Sequence, residues 1–307
     1  MAKYLVTGGA GFIGTNLIKQ LLADGHRVVV LDNFSSGRFS DRIQSGAEYV
    51  EGDVRNMADL EKVLKGVDGV FHAAAVARMP YSVEHPQETN EANVNGTLNV
   101  LVAARDAGVK RVVYSASSSA YGDQDISPLV ETMKPRPMSP YGLQKLIGEE
   151  YCRLFHELYG LETVSLRYFN VYGPHVDPNG AYALVIGKFL KQRKENQPLT
   201  ICGDGEYYRD YTHVADVVRA NIMAMQSAKA GRGEVINIGN RAPHSVNELA
   251  GLIGGETVGI PSRPGDPRKT EADITKAKQL LDWEPKISFE DGIKELKREW
   301  GITAPSF

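Results

Sequence analysis

Tyr141 and Lys145 stand four residues apart in Ser139-Pro140-Tyr141-Gly142-Leu143-Gln144-Lys145, and a helix opening after Pro140 puts both on one face. An ammonium beside a phenol stabilises phenolate, drawing the tyrosine pKa down from about 10 toward neutrality and making it usable as acid and base. Such pairs also occur on solvated helix faces, so this one needs partners. Upstream, Arg111-Val112-Val113-Tyr114 runs into the hydroxyl cluster Ser115-Ala116-Ser117-Ser118-Ser119-Ala120-Tyr121-Gly122. Small hydroxyls at a strand end can relay a proton to a phenolate; a polar turn has the same composition.

A redox partner for this chemistry is indicated near the amino terminus. Gly8-Gly9-Ala10-Gly11-Phe12-Ile13-Gly14 joins a strand to a helix, where free backbone N–H groups and the positive end of the helix dipole suit a pyrophosphate. The spacing G-x-x-G-x-x-G is one residue longer between its first two glycines than the commonest dinucleotide fingerprint. Asp32 closes the next strand, placed to accept from adenosine ribose hydroxyls and to repel a 2′-phosphate. NAD is favoured over NADP, with Arg38 able to modify that preference. Asp53, in Gly52-Asp53-Val54 after a third strand, is equally consistent with holding an adenine amino group and with a surface turn.

The elements that must position these groups alternate. Tyr4 to Thr7, Arg27 to Leu31, Gly69 to Ala74, Arg111 to Ser115 and Thr163 to Arg167 read as strands, with helical patterns between them. Alternation predicts right-handed βαβ units and an α/β, Rossmann-type, doubly wound parallel sheet with ligands at the carboxyl ends of its strands. After Arg167 comes the Gly/Pro-rich stretch Tyr172 to Gly180, then helical runs over Ala181 to Glu195 and Val214 to Ala228, and a buried strand at Val235 to Ile238 that can return to the sheet. The expected division is therefore discontinuous. A dinucleotide-binding unit spans 1–169 with a return segment of about 212–240; a smaller α/β substrate unit takes 170–211 and 241–307.

Composition bounds the partners. Hydrophobic residues at 42% and charged residues at 24% fit a folded globular chain, and a net charge of −3 gives no general reason to bind nucleic acid or an anionic membrane. The two cysteines, Cys152 and Cys202, lack metal-ligand spacing, so neither a disulfide framework nor a metal site is expected. The first residues pass directly into a strand, which leaves no room for a signal peptide, and no apolar run is long enough to span a bilayer. A cytoplasmic location is expected.

Taken together these residues resemble the extended short-chain dehydrogenase/reductases, and within them the 4-epimerases of UDP-glucose and UDP-N-acetylglucosamine. The resemblance also rests on His72-Ala73-Ala74, Asn93-Val94-Asn95-Gly96-Thr97 and Leu166-Arg167-Tyr168-Phe169-Asn170-Val171-Tyr172-Gly173-Pro174. It implies Ser117, Tyr141 and Lys145 as catalytic residues. For NAD it implies Gly8, Gly11, Phe12, Ile13, Gly14, Asp32, Asn33, Ser35, Ser36, Gly37, Asp53, Val54, Ala73, Ala74, Ala75, Asn93, Ser115, Tyr141, Lys145, Tyr168 and Val171. Tyr168 corresponds to a residue beside the nicotinamide and Asn170 to a ligand of the substrate diphosphate.

Related dehydratases place Asp then Glu directly after the catalytic hydroxyl, and related decarboxylases place Glu at the second of those positions. Ser118 and Ser119 stand there instead. The chemistry left by the resemblance is 4-epimerisation through a transient 4-keto sugar. In the second unit, Gly203-Asp204-Gly205-Glu206-Tyr207-Tyr208-Arg209-Asp210 and Arg263-Pro264-Gly265-Asp266 resemble UDP-binding segments. Arg209 and Arg263 are expected on the phosphates and Asp266 on the uridine ribose.

Asp177 to Ala183 is similar to epimerases acting on N-acetylated sugars, with Leu184, Val185, Phe189, Thr200 and Cys202 expected along the nucleotide pocket. Thr270 falls at the family's substrate-size gate, where a small side chain admits an N-acetyl group. Ser117, Ser118, Ser119 and Tyr141 complete the expected substrate site. The resemblance also implies a homodimer paired through helices near Asn93 to Ala107 and Tyr141 to Tyr159 as a four-helix bundle. Two alternatives stay open: action on UDP-glucuronate or another nucleotide sugar, and a non-catalytic NAD-binding scaffold.

Overall fold

Short runs of β-branched residues, covered on both faces, form the centre of the computed structural model. In β1 (Lys3–Thr7), Tyr4 and Val6 enter one apolar layer and Leu5 the other; in β2 (Arg27–Asp32), Val28 and Val30 join the first layer and Val29 and Leu31 the second. Apolar residues on both faces at a period of two mark parallel strands between helical layers. The structure describes residues 1–37, 39–176, 185–261 and 268–302.

The remaining strands are β3 (Glu48–Glu51), β4 (Gly69–His72), β5 (Arg111–Ser117), β6 (Glu162–Tyr168), β7 (Val171–Tyr172), β8 (Leu199–Cys202), β9 (Tyr208–Asp210), β10 (Thr212–His213), β11 (Arg232–Ile238), β12 (Pro243–Ser245) and β13 (Thr257–Ile260). The helices are α1 (Phe12–Ala23), α2 (Met57–Val63), α3 (Met79–Glu84), α4 (Pro86–Asn90), α5 (Gly96–Asp106), α6 (Pro140–Tyr159), α7 (Val185–Lys194), α8 (Val214–Gln226), α9 (Val246–Ile253), α10 (Thr275–Leu281) and α11 (Phe289–Glu299). A π-helical turn at Glu91–Asn95 links α4 to α5.

Seven strands form one parallel sheet in the order β11-β6-β5-β4-β1-β2-β3. The chain leaves β1 toward β2 and β3, then crosses back to β4, so the sheet reverses direction between β1 and β4. That reversal opens a crevice at the carboxyl ends of the strands, where Thr7 lies beside both Leu31 and His72. One helical layer contributes Leu17, Ile18 and Val217 to the core, and the opposite layer Leu60, Val100 and Phe155. Each such side chain is worth about 1.5–3 kcal/mol when buried, more than a typical single hydrogen bond, so the sheet is a fixed frame for the polar groups at its edge.

Observed boundaries differ from the sequence pattern in instructive places. The strand expected to reach Ala74 stops at His72, because the backbone there leaves the sheet after Ala73 N donates to Thr7 O at 3.1 Å. The strand expected to stop at Ser115 continues to Ser117, held by pairing with Tyr168. The return strand starts earlier than Val235, with a register shift between Arg232 and Glu234, and pairs with β6. Helix α6 begins where the sequence indicated, with Pro140 in its first turn and the Ser139 hydroxyl accepting from Gly142 N at 3.1 Å.

Beyond the large sheet, β7 pairs with β10, β9 with β12 and β8 with β13. A third apolar cluster, including Tyr172, Phe189, Leu249, Phe289 and Ile293, packs α7, α9 and α11 together. Among the described residues, no helix is long and apolar enough to cross a membrane.

Candidate active site

A pocket at the sheet reversal is lined by Gly8, Gly11, Asp32, Asn33, Ser35, Ser36, Gly37, Asp53, Val54, Ala73, Ala74 and Ala75, all anticipated from the sequence. Ala10, Leu31, Gly52, Val76 and Ala92 line it as well and were missed. Leu31, Gly52, Val76 and Ala92 each adjoin an expected residue and were within reach of the sequence; the π-helical turn carries Ala92 to the pocket.

Glycine is required at two positions of the turn. Gly8 has φ +70°, and a Cβ there would lie 2.6 Å from the Ala74 Cα; a Cβ at Gly14 would lie 2.4 Å from the Gly8 carbonyl oxygen. The first residue presses the turn against the loop after β4, and the second lets α1 pack down on the turn. Helix α1 starts with Gly11 as its N-cap, without a capping side chain or an acidic residue in its first turn, which leaves the N–H groups of Phe12 and Ile13 suited to an anionic group. The cradle fits the pyrophosphate of a dinucleotide.

Asp32 accepts from Ala10 N at 2.9 Å and Phe34 N at 2.8 Å, which fixes its carboxylate at the pocket rim. Asp53, which the sequence left open between an adenine ligand and a turn residue, lines the pocket. Its carboxylate accepts from Arg55 N, Arg55 Nε, Arg55 Nη2 and Asn33 Nδ2, which uses the roughly four acceptor positions of a carboxylate. The Arg55 contacts hold its pKa down at about 2. Asp53 is a wall and an anchor for Asn33, and it takes an adenine amino group only if Asn33 gives way. Arg38 lies outside the described residues.

At the end of β5 the Ser117 hydroxyl donates to Ser119 Oγ at 3.1 Å, accepts from Ser119 N at 3.2 Å and lies near the Tyr141 phenol. Ser118 and Ser119 form a 3-10 turn that brings this loop to the start of α6. Lys145 is 3% exposed; its ammonium donates to Ser115 O at 2.7 Å and sits 4.9 Å over the Tyr114 ring. Burial raises the Tyr141 pKa and the Ser117 hydrogen bond lowers it, while the lysine charge is tied to the strand. Burial also brings Lys145 down to about 8, with Glu149 opposing.

Tyr168 ends β6 opposite Ser117 in the sheet. Its hydroxyl is 3.2 Å from Ser115 Oγ and donates to Asn221 Oδ1 at 3.0 Å, and burial pushes its pKa up to about 12. Asn221, on α8, was not anticipated. Asn93 also sits behind the pocket: its side chain contacts Val76 N and O and Gln144 Oε1. Val171 is half-buried in β7 and packs against the first apolar cluster; it is not among the residues lining this pocket.

The expected substrate residues divide. Asn170 (φ +32°) donates to Asp210 O at 3.1 Å and lies 3.5 Å from Thr270 Oγ1, with Arg209 next to Asp210 in β9. Asp210 is wholly buried and accepts from the N–H groups of Asn240, Arg241 and Ala272, which gathers these loops; no individual role was expected for it. Thr200 bonds to Gln192 of α7, Cys202 Sγ donates to Pro261 O at 3.2 Å, and Val185 opens α7. Phe189 is a correction. It is fully buried in the apolar cluster with Leu190, Leu249 and Ile253, because the apolar face of α7 turns toward α9, and has no surface left to present to a ligand. Leu184, Arg263, Asp266 and the segment 177–183 lie outside the described residues.

Comparison with known proteins matches this arrangement. A family model described as the NAD dependent epimerase/dehydratase family matches residues 4–239. A UDP-glucose 4-epimerase of Mycolicibacterium smegmatis is 39% identical over 306 residues, covering 95% of this chain and 96% of the relative. The crystal structure of a Thermotoga maritima UDP-glucose 4-epimerase with UDP-glucose superposes with a TM-score of 0.92 at 40% identity, covering 97% of this chain and 98% of that one. A UDP-N-acetylglucosamine 4-epimerase from Methanobrevibacter ruminantium, in complex with UDP-N-acetylmuramic acid, gives a TM-score of 0.92 at 36% identity, covering 98% of each chain.

Proposed function

Because the chain belongs to the NAD dependent epimerase/dehydratase family, we propose that it inverts C4 of UDP-hexoses, interconverting UDP-Glc with UDP-Gal and UDP-GlcNAc with UDP-GalNAc. The observation that carries this reading is the convergence of Ser117, Tyr141 and Lys145 at the strand ends beside a dinucleotide-shaped pocket. Gly8, Gly11 and the first turn of α1 would hold the pyrophosphate, and Asp32 the adenosine ribose.

When bound, NAD supplies the acceptor and donor of the C4 hydride, and its positive charge favours ionisation of a nearby phenol. The chain moves the proton. Tyr141 takes it from the C4 hydroxyl with Ser117 as relay, and returns it when the 4-keto sugar is reduced from its other face. Lys145, fixed on Ser115 O, contributes a buried positive charge on the same helix face. Ser118 and Ser119 supply no carboxylate for elimination or decarboxylation, which favours plain epimerisation.

Asn170, Arg209 and Thr270 are assigned to the diphosphate and sugar, with Val185, Thr200 and Cys202 toward the nucleotide. The small Thr270 side chain supports acceptance of an N-acetyl group. The nucleotide-binding unit comprises 1–169 with a return through about 212–240, consistent with β11 pairing onto β6; 170–211 and 241–307 form the substrate unit. Exposed Leu143, Leu158 and Tyr159 on α6, with half-buried Leu98 and Val102 on α5, support a homodimer through a four-helix bundle. Two free cysteines suit a reducing cytoplasm.

The test is to incubate purified protein with UDP-Glc, UDP-GlcNAc and UDP-GlcA and follow the anomeric NMR signals. C4 epimers of the first two are expected. Turnover of UDP-GlcA alone would move the assignment to uronates, and absence of a C4 epimer from every sugar would reject epimerase activity.

A further inference from the structure

His72 is 1% exposed at the end of β4 and has no part in the proton path above. Its two ring nitrogens nevertheless connect both halves of the site. Thr7 Oγ1 lies 2.7 Å from Nδ1, and Thr97 Oγ1 lies 3.0 Å from Nε2. Thr97 donates its one hydroxyl proton to Asn93 O at 2.6 Å, so it must accept from His72 Nε2–H. Burial and the Lys145 charge favour the neutral ring, in which the proton sits on Nε2 and Nδ1 accepts from the Thr7 hydroxyl.

The groups around the ring agree with a neutral form. Thr7 faces it from β1, Thr97 from α5, the Tyr114 ring from β5 at 5.6 Å, and the charge of Lys145 from α6. Burial, then the lysine charge, brings the imidazole down to about 3.

Both ends of this chain of bonds reach functional groups. Thr7 immediately precedes Gly8, and its hydroxyl also accepts from Ala74 N at 3.4 Å. At the other end Asn93 holds Val76 N at 2.7 Å and donates to Gln144 Oε1 at 2.8 Å, one residue before Lys145. Gly8, Ala74 and Val76 line the dinucleotide pocket; Gln144 is 3% exposed on the helix that carries Tyr141. Thr97 and Asn93 are four residues apart on one helical stretch, while the other three links join residues 25 to 65 positions apart.

We infer that His72 is a positioning residue that couples occupancy of the dinucleotide pocket to the placement of helix α6 through the Thr7–His72–Thr97–Asn93–Gln144 chain. The inference rests on the assignment of NAD to the pocket and of Tyr141 and Lys145 to the reaction. A dinucleotide that orders the glycine turn and the loop after β4 thereby orders Gln144 and its neighbour Lys145. A neutral ring with one donor and one acceptor can bridge two hydroxyls; a phenyl ring keeps the packing against Tyr114 and loses both bonds.

The experiment compares wild type, His72→Phe and Thr97→Val for NAD dissociation constant and for kcat at saturating NAD and UDP-sugar, with folding checked by circular dichroism. Loss of one buried hydrogen-bond link corresponds to about tenfold. The expected result is a rise of about fivefold or more in the NAD dissociation constant and a fall of about fivefold or more in kcat for each variant, with a double variant no worse than His72→Phe alone. A smaller change in either quantity in a folded variant overturns the inference, including weaker NAD binding with unchanged kcat, which is a local effect on the turn. If His72→Phe does not fold, Thr97→Val decides by the same criteria. Wild type that binds no NAD or makes no epimer fails the functional assignment itself, which separates that failure from this one.

Discussion

The ammonium of Lys145 donates to the carbonyl oxygen of Ser115 at 2.7 Å, which anchors α6 to the strand that carries Ser117. Retaining a charge there is unfavourable, and burial brings the Lys145 pKa down to about 8. The unfolded lysine titrates near 10.4, so between about pH 8 and 10 the unfolded chain binds more protons and stability rises with pH; below pH 8 the full cost is present. Lys145→Met should therefore gain stability at pH 7, by on the order of 3 kcal/mol before packing losses, and lose most turnover. Urea titrations at pH 7 and 9.5 check this: the gap between variant and wild type should narrow at the higher pH.

Tyr141→Phe removes the phenol and keeps the ring. Turnover should fall about 10²- to 10⁴-fold while NAD stays bound, measured by NMR turnover and by nicotinamide retained through gel filtration. Ser117→Ala should cost less, since Tyr141 remains, and unchanged turnover in both variants would place the chemistry elsewhere.

Glu149 and Arg167 form a two-pronged ion pair at 2.8 and 2.6 Å with side chains 1% and 3% exposed. It joins α6 to β6 one helical turn beyond Lys145. Removing one partner strands a buried charge and should cost about 3–5 kcal/mol, whereas an apolar replacement of both should recover much of that loss. Denaturant unfolding of Glu149→Leu, Arg167→Met and the double variant gives the comparison; equal losses in all three would contradict the stranded-charge account.

A methyl group at position 14 meets backbone atoms on two sides, the Gly8 oxygen at 2.4 Å and the Gly9 Cα at 2.6 Å. Neither can rotate away. Gly14→Ala should push α1 off the turn, destabilise the chain by about 1–3 kcal/mol, and weaken NAD binding, as read by thermal unfolding with and without NAD.

Thr270 lies beside Asn170 in the proposed sugar pocket. Thr270→Tyr should reduce kcat/KM for UDP-GlcNAc relative to UDP-Glc by about 10- to 100-fold. An unchanged ratio would remove Thr270 from substrate selection.

Local physics made much of this legible in the chain itself. Short apolar runs alternating with helical patterns announced the strands, the glycines and Asp32 marked a dinucleotide turn, and Ser139-Pro140 set the start of the helix that puts Tyr141 and Lys145 on one face. Those signals arise within a strand or a few turns of helix, where neighbours in sequence are neighbours in space. Partner choice is different in kind. Thr7 and His72 meet because β1 and β4 are adjacent in the sheet, and Asn93 reaches Gln144 because α6 packs on the π-helical turn. The same long-range packing turned Lys145 onto Ser115, filled the acceptors of Asp53 and buried Phe189 against α9. Composition and spacing determined which chemistry the chain carries; strand order and helix packing decided which partner each polar group receives, because burial makes every such partner obligatory and only the assembled fold brings them within reach.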